Sequence, residues 1–138
     1  MSYKYDIELD EFLKEGASYD RLLNDYRNHG SLTVGVDFDG TLYDYHGNGA
    51  SHEMVRQLVR DLKSINCRIV IWTANKDLLF VEKFCRDNKI PFDGINKGSI
   101  PLQWESKKPF FSALLDDRAG LRQVYNELTL LVKTIKNT

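Results

Sequence analysis

Asp37 and Asp39 are the residues from which chemistry is expected first. They stand one residue apart in TVGVDFDGT, residues 33 to 41, at the end of a short β-branched run and directly before Gly40 and Thr41. A continuous apolar run is what a buried parallel strand needs, and open α/β sheets bind their ligands beyond the carboxyl ends of the strands. Both carboxylates would therefore project at such an end. Two ionised carboxylates this close repel one another. A divalent cation relieves the repulsion, and hard oxygen ligands suit Mg²⁺. Gly40 frees the backbone to turn sharply away from the strand.

The elements that would position this pair follow from periodicity. Residues 5 to 29 carry two helical patterns, one on Ile7, Leu9, Phe12 and Leu13, the other on Tyr19, Leu22, Leu23 and Tyr26. Ser18 is the expected cap of the second, and His29-Gly30 closes it. Leu42 to Ala50 reads as a small hairpin through HGNG. Ser51 would cap a helix whose apolar face is Met54, Val55, Leu58, Val59 and Leu62. A strand over Arg68 to Trp72 follows, then a helix over about 76 to 88 presenting Leu78, Leu79, Val81, Phe84 and Cys85. Short strands are expected at 90 to 95, starting near Pro91, and at 110 to 115, ending in Asp116-Asp117. A last helix runs from about 120 to 136. Strands and helices alternating at this spacing make an α/β fold with a parallel sheet.

Composition bounds the rest. The 138 residues make one domain with room for a real core. A hydrophobic content of 42% with 28% charged residues is that of an ordinary soluble globular protein. A net charge of −1 argues against a strongly electrostatic nucleic-acid binder. Cys67 and Cys85 lack metal-ligand spacing and read as buried reduced thiols. The opening MSYKYDIELDEF has no apolar core of a leader, and no run reaches the roughly 18 apolar residues of a membrane span. The expected address is cytoplasmic, with no membrane partner.

DFDGT after an apolar strand resembles the first motif of the haloacid dehalogenase (HAD) superfamily. VDFDGT, IWT, INK and LDDR together are similar to blocks of its small capless hydrolases, and cover about residues 32 to 125. The resemblance implies a HAD-like Rossmannoid fold, a three-layer α/β sandwich with a central parallel sheet. It assigns 31–138 to a catalytic domain and leaves 1–30 as an N-terminal helical segment, packed on the core or free for a partner. It also implies a Mg²⁺-dependent phosphomonoesterase working through an aspartyl-phosphate. Asp37 would be the nucleophile and Asp39 the general acid and base. Thr73, with the backbone of Ala74 and Asn75, would bind the phosphate. Metal would be held by Asp37, Asp39 (through its carbonyl) and the acidic pair, with Asp116 favoured over Asp117 as direct ligand; the other acid is free to start the next helix.

The phosphate-binding lysine has two candidates. Lys97 follows the third strand on the side where the aspartates project. Lys108 would sit roughly 26 Å from Asp116 if the intervening residues are extended, so Lys97 is preferred. His46 and His52 read as surface loop residues, since no histidine or cysteine joins either at ligand spacing. Arg118 would reach substrate or pair with a carboxylate. Only Leu42 to Ser51 separates the first strand from its helix, and 73 to 97 holds a helix and a strand, so there is no room for a cap domain. The partner is then a phosphorylated small molecule or macromolecular end, with a homo-oligomer as one way to close an open site. A polynucleotide 3′-phosphatase or nucleotidase is the alternative, with Tyr43, Tyr45 and Trp104 as stacking candidates. A non-catalytic HAD-like adaptor acting through its N-terminal helices is the reading from another class.

Overall fold

The computed structural model describes residues 10–97 and 110–138. Its four strands are β1 (Thr33–Asp37), β2 (Arg68–Trp72), β3 (Gly94–Ile95) and β4 (Ala113–Leu115), and its helices are α1 (Ala17–His29), α2 (Glu53–Ser64), α3 (Leu78–Asp87) and α4 (Leu121–Lys136). The strands form one parallel sheet in the order β3-β2-β1-β4. This is the expected α/β sandwich, Rossmann-like in its topology. The apolar strand β1 lies inside the sheet, as its continuous burial requires.

One face of the sheet carries the core. Val34 and Val36, Ile69 and Ile71, and Leu115 meet side chains from all four helices in one cluster: Leu22, the α2 face Val55, Leu58, Val59 and Leu62, then Val81 and Cys85, and Leu128, Leu131 and Val132. Alternation puts Gly35 on the other face. There the Phe111 ring lies so close that a Cβ on Gly35 would come within 2.8 Å of it, so this position must be glycine. Residues 98–109, between β3 and β4, fall outside the described residues, as do Ile7 and Leu9.

Helix α1 is part of this core. Its Ser18 hydroxyl donates to the Glu127 carboxylate at 2.6 Å, Tyr19 meets Thr134 at 2.9 Å, and Tyr26 donates to the Ile65 carbonyl at 2.6 Å. Ser18 therefore ties α1 to α4 instead of capping α1, whose N-cap is Gly16. Gly30 does close it, donating to the Tyr26 carbonyl. The earlier helical pattern survives in the described residues as one 3₁₀ turn, Glu11–Leu13, capped by Asp10.

Other boundaries move for local reasons. Residues 42–50 make turns and no hairpin, because the Asp44 carboxylate accepts the N–H groups of Asn48 and Gly49 at 3.2 and 2.8 Å, closing the loop on itself. His52, not Ser51, is the N-cap of α2, and Ser51 accepts only from the Glu53 N–H. Met54, expected on the apolar face of α2, is instead exposed in its first turn, and Leu78 and Leu79 face solvent at the start of α3, whose cap is Asp77. Strand β3 shrinks to Gly94–Ile95, with Asp93 accepting the Ile69 N–H at 2.8 Å and pairing with Lys63 at 2.7 Å. Strand β4 begins only at Ala113, since the Ser112 hydroxyl takes the Thr33 N–H at 3.1 Å. Burial pushes the thiols of Cys67 and Cys85 up to about 11, as suits unreactive core residues. No helix of the described residues is long and apolar enough to cross a membrane.

Candidate active site

Phe38 explains why the two leading aspartates face the same way. It is fully buried between them, stacked on Tyr43 with ring centres 5.4 Å apart and edge-on to Phe84 at 5.5 Å and Phe80 at 6.1 Å. Its carbonyl accepts the N–H groups of Leu42 and Tyr43 at 3.0 Å each, which folds the chain back at Gly40. With Phe38 drawn into the core, Asp37 and Asp39 both reach the cleft above the sheet. Gly40 has a φ of +82°, and a Cβ there would stand 2.9 Å from an Asp117 carboxylate oxygen. Glycine is required twice over, by conformation and by room.

The acidic pair after β4 closes on this turn. Thr41 donates to Asp37 at 3.1 Å or to Asp117 at 3.3 Å, and its hydroxyl accepts the Asp117 N–H at 3.1 Å. Asp116 accepts the Arg118 N–H at 2.9 Å. Neither acid caps α4, which starts at Leu121 behind Gly120. One carboxylate oxygen from each of Asp37, Asp116 and Asp117 lies within 4.8 Å of the others. Burial, a hydrogen bond with Asp117 and the charge of Asp116 together raise the Asp37 carboxyl to about 7, against a smaller lowering by Thr41.

These carboxylates line a cleft of about 600 Å³ with Asp39, Tyr45, His46, Ala74, Asn75 and Arg118. The Thr73-Ala74-Asn75 turn forms one side. The Thr73 hydroxyl accepts the Asn75 N–H at 3.0 Å, which shapes the turn and does not use the hydroxyl's own O–H. Asn96 holds that turn to the sheet: its carboxamide oxygen accepts the Thr73 N–H and its NH₂ donates to the Thr73 carbonyl, each at 2.8 Å. The structure thus brings Asp37, Asp39, Ala74, Asn75, Asp116 and Asp117 to one cleft. Lys97 is exposed beyond Asn96 and is not on the cleft wall, and Lys108 lies outside the described residues. The cationic side chain on the described wall is Arg118. His46 is exposed, as expected of a loop residue, yet it lines the cleft, whereas His52 is at the start of α2. Tyr43 is spent on the aromatic cluster and is no stacking platform, and Trp104 lies outside the described residues.

Three participants were not singled out from sequence: Thr41, Asn96 and Phe38. Thr41 carried a signal, because it is part of DFDGT itself. Asn96 had none beyond its place next to Lys97.

The donor set fits a hard divalent cation. Its members are carboxylates, which suit Mg²⁺. In the same cleft the Asp39 Oδ1 is buried with no hydrogen-bond partner among the described residues.

No protein-family model matches the chain, and no curated protein matches it. A solved structure of a conserved protein from Bacteroides thetaiotaomicron does, with 24% identity and a TM-score of 0.57 over 78% of this chain and 91% of that one. At that identity the likeness is one of fold, and the chain is a structural neighbour of a conserved protein built on the same parallel-sheet α/β architecture.

Proposed function

We propose that this protein is a Mg²⁺-dependent phosphomonoesterase of the haloacid dehalogenase type, acting through an aspartyl-phosphate on Asp37. The observation that carries the reading is the convergence of Asp37, Asp116 and Asp117 at the ends of two adjacent strands, with Asp39 in the same cleft. Together with the resemblance of DFDGT, IWT, INK and LDDR to the motifs of that superfamily, it makes phosphoryl transfer to water the best use of these groups.

Asp37, Asp116 and Asp117 would hold the cation, whose charge would allow the crowded carboxylates to stay ionised and offset the charge of a phosphoryl group. Ionised Asp37 attacks phosphorus in line, forming the new P–O bond as the ester oxygen departs. Asp39 gives its proton to that leaving oxygen. It then takes a proton from the water that attacks the aspartyl-phosphate, which releases phosphate and restores Asp37. Ala74 and Arg118 line the cleft, and the backbone N–H of the first and the guanidinium of the second would be donors to phosphoryl oxygens, beside the Thr73 hydroxyl just past the end of β2.

An adaptor role finds less support, because α1 uses Leu22, Ser18, Tyr19 and Tyr26 to join the core. The test is release of p-nitrophenol from its phosphate ester. Hydrolysis should require Mg²⁺, stop with EDTA, and fall by at least roughly a thousandfold in Asp37→Asn, which keeps the shape and removes the nucleophile. Turnover that survives either the chelator or the substitution would overturn the mechanism.

A further inference from the structure

The cleft holds more than a phosphoryl group needs. Its volume of about 600 Å³ falls in the range of roughly 300–1,000 Å³ typical of sites for whole cofactors and drug-sized molecules. Beyond the aspartates, the wall is made by Tyr45, His46, Arg118 and the Ala74-Asn75 turn. Tyr45 is 62% exposed, a large ring left open to solvent at the mouth of a polar site. Its backbone is held in place. The Tyr45 N–H donates to the Tyr43 carbonyl at 2.8 Å, and Tyr43 is anchored in the aromatic cluster around Phe38. On the other side Asp44 gathers the N–H groups of Asn48 and Gly49. The rings of Tyr45 and His46 meet edge to face, centres 5.2 Å apart and planes at 84°. A loop whose backbone is already ordered loses little freedom when a flat ring docks on its exposed aromatic side chain.

We infer that the substrate is a nucleoside monophosphate, its base stacking on Tyr45 while its phosphate meets Asp37 and Arg118. The inference rests on the phosphatase reading for the phosphate and on the Tyr45 loop for the base. Aromatic stacking tolerates any base, because each presents a π face. A free mononucleotide suits the site better than a polynucleotide end. With a net charge of −1 the chain has no surplus of positive charge with which to follow a phosphate backbone.

The experiment compares AMP with glycerol phosphate, which has the same ester chemistry and no ring, in wild type, Tyr45→Ala and Tyr45→Phe. Thermal melts of both variants verify folding. Wild type should favour AMP by roughly tenfold or more in kcat/KM, through KM. Tyr45→Ala should erase most of that ratio, and Tyr45→Phe should restore it. Equal kcat/KM for the two esters, or a ratio insensitive to Tyr45→Ala, would overturn the nucleotide inference and leave the phosphatase reading standing. Calorimetric titration of AMP and glycerol phosphate into Asp37→Asn with Mg²⁺ separates the two ideas. Tyr45-dependent binding of AMP without hydrolysis of any ester by wild type would support the base site and sink the phosphatase. No preference for AMP in either binding or turnover would sink the base site.

Discussion

The two sides of the cleft are built by opposite means. The turn after β1 is anchored by apolar packing, since Phe38 is fully buried among Tyr43, Phe80 and Phe84, and it carries the crowded carboxylates. The turn after β2 is exposed and hangs on polar bonds, chiefly the paired hydrogen bonds from Asn96 to Thr73. The difference follows charge. Carboxylates that repel each other need a rigid foundation to stay together, whereas a turn without such charge can be held by hydrogen bonds.

The comparison breaks most sharply at Phe38. Phe38→Ala removes the largest fully buried side chain among the described residues and should cost about 3–5 kcal/mol, read as a drop in the denaturation midpoint. Activity of the variant that remains folded should fall as well, because Asp37 and Asp39 lose their common orientation. An effect below about 1 kcal/mol would show that the aromatic cluster does not hold the turn.

Carboxylate crowding should appear next, as pH dependence. Asp37 is raised to about 7 in the folded protein by burial first, then by Asp117 and Asp116. The unfolded chain loses this proton near its ordinary value of 3.8, and the folded chain keeps it until about 7. Stability of the metal-free protein should therefore be greatest below that window, decline as pH rises through it, and level off above. Allowing for solvent around a half-buried group, the decline is on the order of 2 kcal/mol. Since a cation competes with the same proton, Mg²⁺ should raise the melting temperature more at about pH 8 than at about pH 5. A flat profile in EDTA, or a larger effect of Mg²⁺ at the lower pH, would contradict the crowded arrangement.

The smallest effect on folding belongs to the polar side. Asn96→Ala deletes both bonds to Thr73 and should cost about 1–2 kcal/mol, discounted for exposure. Its larger consequence should be a KM several-fold higher with kcat less changed, because the turn positions donors and does no chemistry itself. Equal losses in kcat and KM would put Asn96 nearer the reacting atoms than the structure does.

Much of the fold was legible because its signals are local. The β-branched run of β1, the RIVIW strand and the buried stripe Val55, Leu58, Val59 and Leu62 each carry their own period, and the structure honours them. Errors came where a side chain made a hydrogen bond that the local pattern does not encode. Asp44 closed its loop before a hairpin could pair, Ser18 turned to Glu127, and Ser112 replaced a ladder bond of β4. Such competition depends on neighbours that periodicity does not see. The apolar face assigned to α3 failed at Leu78 and Leu79, which face solvent, while Val81 and Cys85 further along the helix are buried.

By itself, the sequence determined that two aspartates end an apolar strand, that a second acidic pair ends another, and that parallel strands alternate with helices. Whether those four acids share a cleft was a tertiary matter. Thr41 and Asp117 are 76 residues apart, and Asn96 and Thr73 are 23 apart, yet each pair is in direct hydrogen-bond contact. The Phe111 ring over Gly35 and the Asp117 carboxylate against Gly40 are likewise contacts between segments distant in the chain. Local preference sets the direction of each strand and the residue at its end. Sheet order and the close packing of strand-end turns then decide which ends meet, because that depends on which faces must be buried together.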